Sequence, residues 1–365
     1  MSNILNKKKI IIFNPSIEDG GVEKNLYIIT NYLANNNFKV DLISSDISKK
    51  NRFVAGVNFI HSNLFVKKNS GRYIKYFSCL ITLIGRILEC KQSIVLSFQA
   101  NIYTIIVCYL FGIKVIARLN TAPQGWDHNF IKSKIYSFFI KRANTTIVNS
   151  VKFKSIVKSR YNLNSVLIHN PFEFKKIEKL SNYSVKYNFN NDKINLINVG
   201  RLTDQKDQMT LIKSLTKIRN KKKIHLTIIG KGQNEHKLKK YVKENNLKSI
   251  VSFLGYKINP FPYIKKADVF VLSSRYEGSP NVLIEAQFLN KYIISTDCPT
   301  GPREILKYYK NSKLFKIGNS MKLADIIDNL KKNKKTTRAN FFHGLHKYKV
   351  ENNCRDYVKV IQNLI

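Results

Sequence analysis

The chain has 365 residues, 44% of them hydrophobic, and carries 63 Lys and Arg against 23 Asp and Glu, a formal net charge of +40 at pH 7. Such a length is long for one core and comfortable for two domains. So large a cationic excess predicts anionic partners; the abundance of Lys, Asn and Ile fits an AT-rich genome, but that bias leaves the scarcity of Asp and Glu unexplained.

Cys79, Cys90, Cys108, Cys298 and Cys354 are widely spaced and form no CxxC pair, which excludes a disulfide framework and predicts reduced thiols in a cytoplasmic protein. The first apolar run, residues 10–13, is far shorter than the roughly 7–15 residues of a signal h-region. Those around 74–88 and 102–113 are interrupted before the roughly 20 residues that span a bilayer. Neither a signal peptide nor a transmembrane helix is expected.

In chain order, residues 9–14 read as a strand and 22–34 as a helix, with Gly20 and Gly21 at the turn between them. Glycine there serves either a tight turn or a close backbone approach to a bound group. Strands at 40–44 and 59–60, a helix at 73–88, a strand at 94–98, a helix at 102–110 and a strand at 114–119 follow. The loop RLNTAPQGWDHNF, residues 118–130, then leaves a strand's C-terminal end, where ligands bind in parallel sheets. Residues 132–142 place basic flanks beside an apolar face, and read either as a helix packed on the sheet or as one lying on a membrane surface. Strands at 147–149 and 166–168 complete a first domain, residues 1–171. Asn170 and Pro171 mark the crossover, and the polar stretch 172–192 reads as a linker.

The second domain, 172–340, opens with a strand at 194–199, Gly200, and a loop bracketed by Arg201 and Lys206 ahead of a helix at 207–218. A planar guanidinium and a point charge are the two usual phosphate binders. Strand and glycine turn recur at 226–230 and 251–255, the latter followed by Tyr256. A helix at 319–330, a solvated basic linker KKNKKTTR and a last helix within 341–365, crossing back to the first domain, close the chain. Alternation of this kind predicts an α/β fold of doubly wound parallel sheets.

The stretch VFVLSSRYEGSPNVLIEAQFLNKYIISTDCPTGPREI, residues 269–305, carries the chemistry. Two buried strands, 269–273 and 292–296, flank the turn RYEGSPN and a helix from about 281 to 289 with Asn281 as its N-cap. Helical side chains lean toward the N-terminus, so Glu285 points back at the turn that carries Glu277. The same helix end offers unpaired N–H groups to a phosphate. Two hydroxyl-binding acids beside a phosphate cradle describe a nucleotide-sugar pocket. On spacing alone, Glu285 capping its own helix beside a solvated Glu277 is the commoner reading, since Glu-x7-Glu often arises by accident.

YEGSPNVLIEA followed by STDCPTGPREIL resembles the retaining glycosyltransferases of family four. INVGRLTDQKDQMTLIKSL, ending at Leu215, and NPSIEDGGVEKNLYIITNYLA near the start resemble two further motifs of that family, in the same order. The resemblance implies a GT-B fold, two Rossmann-like domains facing a cleft. It also implies transfer from a nucleotide-diphosphate sugar with retention of configuration. Carried over residue by residue, Glu285 holds the ribose hydroxyls. Glu277, with Gly278, Pro280, Asn281 and Val282, holds the sugar. Arg201 and Lys206 neutralise the diphosphate, Gly20 and Gly21 face it across the cleft, and Tyr256 meets the base. Arg201, Lys206 and Glu277 form the catalytic set. No DxD stands in a matching context, so neither metal nor cofactor is expected beyond the donor, for which UDP is the first choice and GDP the second. Many members carry a histidine after the fifth strand; this chain has Arg118, Asn120 and, further on, His128.

A nucleic-acid-binding protein is the rival suggested by charge, without zinc spacing, an RNP-like run or a basic arm to support it. A nucleotide-sugar epimerase would keep the fold and change the reaction. The excess charge fits instead a lipid-linked diphosphate sugar as acceptor, at the inner face of a bacterial membrane, for a surface polysaccharide or glycan.

Overall fold

The computed structural model describes residues 9–17, 20–67, 70–121, 130–330 and 344–365. The chain forms two compact units, Met1–Phe172 with Lys347–Ile365, and Glu173–His346. Each is built on one wholly parallel sheet.

The first sheet contains β1 (Lys9–Phe13), β2 (Lys39–Ser44), β3 (Val57–His61), β4 (Ile94–Ser97), β5 (Lys114–Arg118), β6 (Thr145–Val148) and β7 (Val166–Leu167), in the order β3-β2-β1-β4-β5-β6-β7. Its strands are continuous apolar runs because both faces are covered. Alternate residues therefore serve opposite cores. Ile10 and Ile12 join α1 (Gly21–Asn35) and the C-terminal α13 (Val350–Gln362) through Leu26, Ile29 and Tyr357. Ile11 and Phe13 join α2 (Arg72–Glu89), α3 (Asn101–Leu110) and α4 (Phe130–Ile140) through Leu83, Ile105 and Ile140. The C-terminal helix thus belongs to the first unit, as expected.

The second sheet contains β8 (Ile194–Val199), β9 (Ile224–Ile229), β10 (Val251–Phe253), β11 (Val269–Leu272), β12 (Tyr292–Thr296) and β13 (Ser312–Phe315), in the order β10-β9-β8-β11-β12-β13. Strand order reverses direction between β1 and β4 in the first unit and between β8 and β11 in the second. Both units are Rossmann-like α/β folds.

Several elements depart from the sequence reading. Helix α5 (Val151–Tyr161) was not expected; its Ser150 cap accepts from the Phe153 amide, and Phe153, Val157 and Tyr161 share a buried face. Residues 172–192 are not a plain linker. Within them α6 (Phe174–Ser181) forms because Phe174 stacks on Phe288 with ring centroids 4.8 Å apart and Ile177 is buried. The sequence average there is polar, but its few apolar residues recur every third position. The last helix begins only at Val350, after Lys349 in an extended conformation. The basic linker KKNKKTTR lies outside the described residues.

Arg118 was expected in a binding loop, yet it is 1% exposed. Its Nε donates to the Tyr357 hydroxyl at 2.8 Å, its Nη2 to Asn170 Oδ1 at 2.7 Å, and its guanidinium lies 5.3 Å from the Phe98 ring centroid. It ties α13 to the sheet. Asn120 donates to the Phe98 carbonyl at 2.7 Å, and His128 lies outside the described residues.

Asp41 on β2 gathers four elements around one buried carboxylate. Lys9 Nζ of β1 stands at 2.8 Å and Arg86 Nη2 of α2 at 2.7 Å, both on Oδ2, while Asn58 Nδ2 of β3 donates to Oδ1 at 2.8 Å. Burial works against the charge, but the hydrogen bonds from Lys9, Arg86 and Asn58 prevail and hold the carboxyl below its ordinary value of 3.8. Asp41→Asn leaves two cations without their counter-charge. We expect a loss of about 2–3 kcal/mol near neutral pH, reduced from a fully buried pair because Lys9 and Arg86 reach solvent. A depressed folded pKa stabilises the protein above the unfolded pKa, and that contribution disappears as pH falls through the folded value. Denaturant titrations of the two proteins should therefore converge below about pH 4; a gap that stays constant with pH would contradict this account.

Candidate active site

The hydrogen-bonded pairing of β8 with β11 brings together two loops far apart in sequence. The loop 200–207 leaves β8 toward α7 (Gln208–Lys217), and the loop 273–280 leaves β11 toward α10 (Asn281–Phe288). They emerge side by side where strand order reverses, the place where open parallel sheets bind ligands.

Cross-links hold these loops in register. Ser273 Oγ donates to the Lys206 carbonyl at 2.9 Å, the Arg275 amide to the Gln205 carbonyl at 2.8 Å, and Gln205 Nε2 to the Tyr276 carbonyl at 3.1 Å. Arg275 Nε stands 3.2 Å from Asp207 Oδ2. Asp207 in turn caps α7, accepting from Thr210 Oγ1 at 2.8 Å and from the Thr210 amide.

On this frame Lys206 Nζ reaches Glu277 Oε1 at 2.5 Å, and Ser274 Oγ donates to the same oxygen at 2.7 Å. Glu277 is 6% exposed and the Lys206 side chain 18%. A carboxylate so enclosed is costly unless paired, which Lys206 and Ser274 accomplish. A solvated Glu277 is excluded. Its backbone is pinned as well: the Glu277 amide donates to the Pro299 carbonyl at 2.8 Å, and Thr300 Oγ1 donates to the Gly278 carbonyl at 2.7 Å. Close packing of 278–280 on Gly301 allows no side chain there, since a Cβ would stand 2.6 Å from Pro280 Cδ.

Asn281 is the first residue of α10, not its cap. Pro280, extended at φ −70° and ψ 103°, takes that place, and no side chain caps the helix. The Leu283 amide turns back to the Pro280 carbonyl, and the positive end of the helix stands at the end of the loop that leaves β11. Val282 lies in the first turn. Glu285 follows in the second turn and is 1% exposed, too far along to cap its own helix.

The loops after β8, β9 and β10 are joined in turn. The Gly200 amide donates to the Ile229 carbonyl, Leu202 to Lys231 and Gly230 to Gly255. Tyr256, 40% exposed, lies under Lys231, whose Nζ stands 5.5 Å from its ring centroid. Arg201 is exposed at the start of the first loop. Sequence reasoning singled out neither Lys231, Ser274, Arg275 nor Thr300. Only Lys231 carried a signal, the repeat of strand, glycine and cation that had already marked Arg201.

Gly20 and Gly21 lie in the other unit, Gly20 as the cap of α1 and Gly21 as its first residue. The Gly20 amide is taken by Glu23 Oε2 at 2.8 Å, and Gln99 Nε2 donates to Oε1 at 3.3 Å. The acid of α1 thus folds back on its own helix end. Among the described residues no group of three His, Cys, Asp or Glu is arranged to hold a metal ion, and no helix is long and apolar enough to cross a membrane.

Parts of the chain are similar in sequence, and the whole of it in fold, to known proteins. Residues 181–341 match the family described as Glycosyl transferases group 1. A glycosyltransferase of Methanocaldococcus jannaschii is 39% identical over 178 residues, 47% of this chain and 44% of that protein, so the aligned stretch spans less than half of the relative. The N-acetylgalactosamine-N,N'-diacetylbacillosaminyl-diphospho-undecaprenol 4-alpha-N-acetylgalactosaminyltransferase of Campylobacter jejuni is 26% identical over 66% of this chain and 69% of its own. Anabaena HepE, crystallised with UDP-glucose, superposes with a TM-score of 0.77 over 97% of this chain and 99% of its own, at 15% identity. The last likeness establishes the fold, two Rossmann-like units of GT-B type.

The approach of the first two loops leaves no room for a side chain at Gly230. A Cβ at Gly230, whose φ is +148°, would stand 1.9 Å from the Gly200 carbonyl oxygen. Gly230→Ala should cost at least about 2–3 kcal/mol, whereas Gly255→Ala, with nothing within 4 Å of the added carbon, pays only for its φ of +65°. Thermal melts that rank the two the other way would refute this placement of the loops.

Proposed function

We propose, on the premise that residues 181–341 belong to the group 1 glycosyl transferases, that this chain moves a sugar from a nucleotide-diphosphate donor to a glycan or lipid-linked acceptor. The observation that carries the reading is the Lys206–Glu277 pair on the two loops that leave β8 and β11, the latter leading into the N-terminus of α10. Glu277 fixes an ammonium group in place before any ligand arrives. A diphosphate leaving group gains negative charge as its bond to the sugar breaks, and preorganised cations and amides stabilise that change without reorganising. Lys206, Arg201 and the first amides of α10 supply such groups, so departure needs no metal. Glu285, buried in the second turn, holds the ribose hydroxyls. The free oxygen face of Glu277, with residues 278–282, orients the sugar.

UDP is the nucleotide we assign, supported by the UDP-glucose complex of a protein with the same fold. Tyr256, with Lys231 over its ring, offers a face to the base. Retention of configuration follows the family resemblance of the motifs around Glu277 and Glu285. For the acceptor, a sugar carried on a polyprenyl diphosphate is supported by the Campylobacter relative, whose name specifies one, and by the charge of +40. The product is a surface polysaccharide or glycan, made at the cytoplasmic side of a membrane.

Calorimetry with UDP tests the donor site. Glu285→Ala should weaken binding roughly 10- to 100-fold, the value of hydrogen bonds to a charged group; unchanged affinity in a folded variant would remove Glu285 from the site. Lys206→Ala should lower kcat by about 10²–10³. Turnover should persist in EDTA, and complete loss on chelation would overturn the metal-free step.

A further inference from the structure

Helix α2 is apolar on two sides. Cys79, Leu83 and Ile87 enter the core, yet Tyr73 is 77% exposed and Phe77 57%. Burial of one face explains an amphipathic helix; it does not explain aromatic residues on the other. Phe65, in the preceding loop, stands at φ +61°, unusual for a bulky side chain, and its ring stacks on Phe77 with centroids 6.4 Å apart.

The rings continue across neighbouring helices. Tyr73 meets Tyr76 at 6.3 Å, and Tyr76 meets Tyr103 of α3 at 6.4 Å. At the far end of α3, Tyr109 is 61% exposed, and the Arg142 guanidinium lies 5.3 Å from its ring and 3.5 Å from that of Phe138 on α4. All three helices cover the same side of the first sheet. Exposed apolar area of this extent marks an interaction surface.

Charge selects the partner. On and beside these helices Lys67, Arg72, Lys134 and Lys141 are exposed, and among the described residues between 62 and 142 the one acid is Glu89. A second copy of the chain would bring the same cationic face against itself. An anionic bilayer accepts both features, rings at the headgroup boundary and cations among the phosphates.

We infer that the α2–α3–α4 face of the first unit docks on an anionic lipid bilayer. The inference rests on the proposed lipid-linked acceptor, since it places the chain on the surface where such an acceptor is embedded.

Flotation of the full chain with vesicles tests it, comparing phosphatidylcholine alone with a phosphatidylcholine–phosphatidylglycerol mixture at low and high salt. The wild type should bind the anionic vesicles, less so in high salt. Phe77→Ser with Phe138→Ser should reduce partitioning by at least about tenfold, and Lys67→Gln with Lys141→Gln by about fivefold per charge. Both variants should hydrolyse the donor at the wild-type rate. Equal binding to neutral and anionic vesicles overturns the inference, as do variants that bind unchanged, salt-sensitive binding to DNA without vesicle binding, or a dimer dissolved by the aromatic substitutions. Vesicle binding that follows this pattern without turnover of any nucleotide sugar leaves the surface standing and removes the transferase reading.

Discussion

The parallel pairing of β8 with β11 is the constraint on which the second unit's chemistry depends. These strands are separated by two complete strand–helix units, yet they are hydrogen-bonded neighbours at the centre of the sheet. Adjacency sets their following loops side by side, and the loops can then exchange hydrogen bonds between Gln205, Arg275 and Tyr276. The 2.5 Å contact of Lys206 with Glu277 is the product of this register. A slip of one residue would turn Val269 and Val271 out of their core and separate the pair at once. Stability and site geometry are thus fixed by the same alternation.

Buried charge is kept local in a chain so strongly cationic. Three enclosed carboxylates have cations or a backbone amide brought to them: Lys9 and Arg86 to Asp41, Lys206 to Glu277, the Gly20 amide to Glu23. Arg118 shows the opposite solution. Its charge is buried against an aromatic face, a phenol and an amide, and burial raises the phenol of Tyr357 above its ordinary value, with Arg118 pulling it back. The scarcity of acids therefore leaves few cations neutralised, and most of the net charge faces outward, where anions are met.

Much of the fold was legible because its signals are local. KIIIF at β1 is both a strand and a two-faced one, and glycine turns separate strand from helix throughout the second unit. What escaped was masked by averaging or by sequence distance. Phe174 and Ile177 were lost in a polar stretch although Phe288 awaited them. Asn281 has the chemistry of a cap, but Pro280 already supplies the extended conformation one residue earlier. Glu277 and Lys206 were each singled out, while their direct pairing, across 71 residues, required the sheet order. Ser274 and Thr300 have no motif at all; their roles exist only once the chain is folded.

The two sheets share one strand order around their centres but furnish it differently. In the second unit Lys206 pairs with Glu277 at the reversal point, Lys231 lies over Tyr256 after the neighbouring β9, and Pro280 caps α10 with no side-chain hydrogen bond. In the first, α1, which follows β1 as α7 follows β8 in the second, is capped by its own Glu23, which Gln99 holds from β4's loop while accepting from the Ser16 amide. A carboxylate seated on helix amides already occupies what an incoming anion would need, so that end of α1 is electrostatically satisfied as it stands. The same topology therefore gives α1 and α7 a carboxylate each at the N-terminus, Glu23 and Asp207, whereas Pro280 caps α10 with no side-chain hydrogen bond. What sets α10 apart from both is its place after β11, with Pro280 at the cap and neutral Asn281 and Val282 in the first turn.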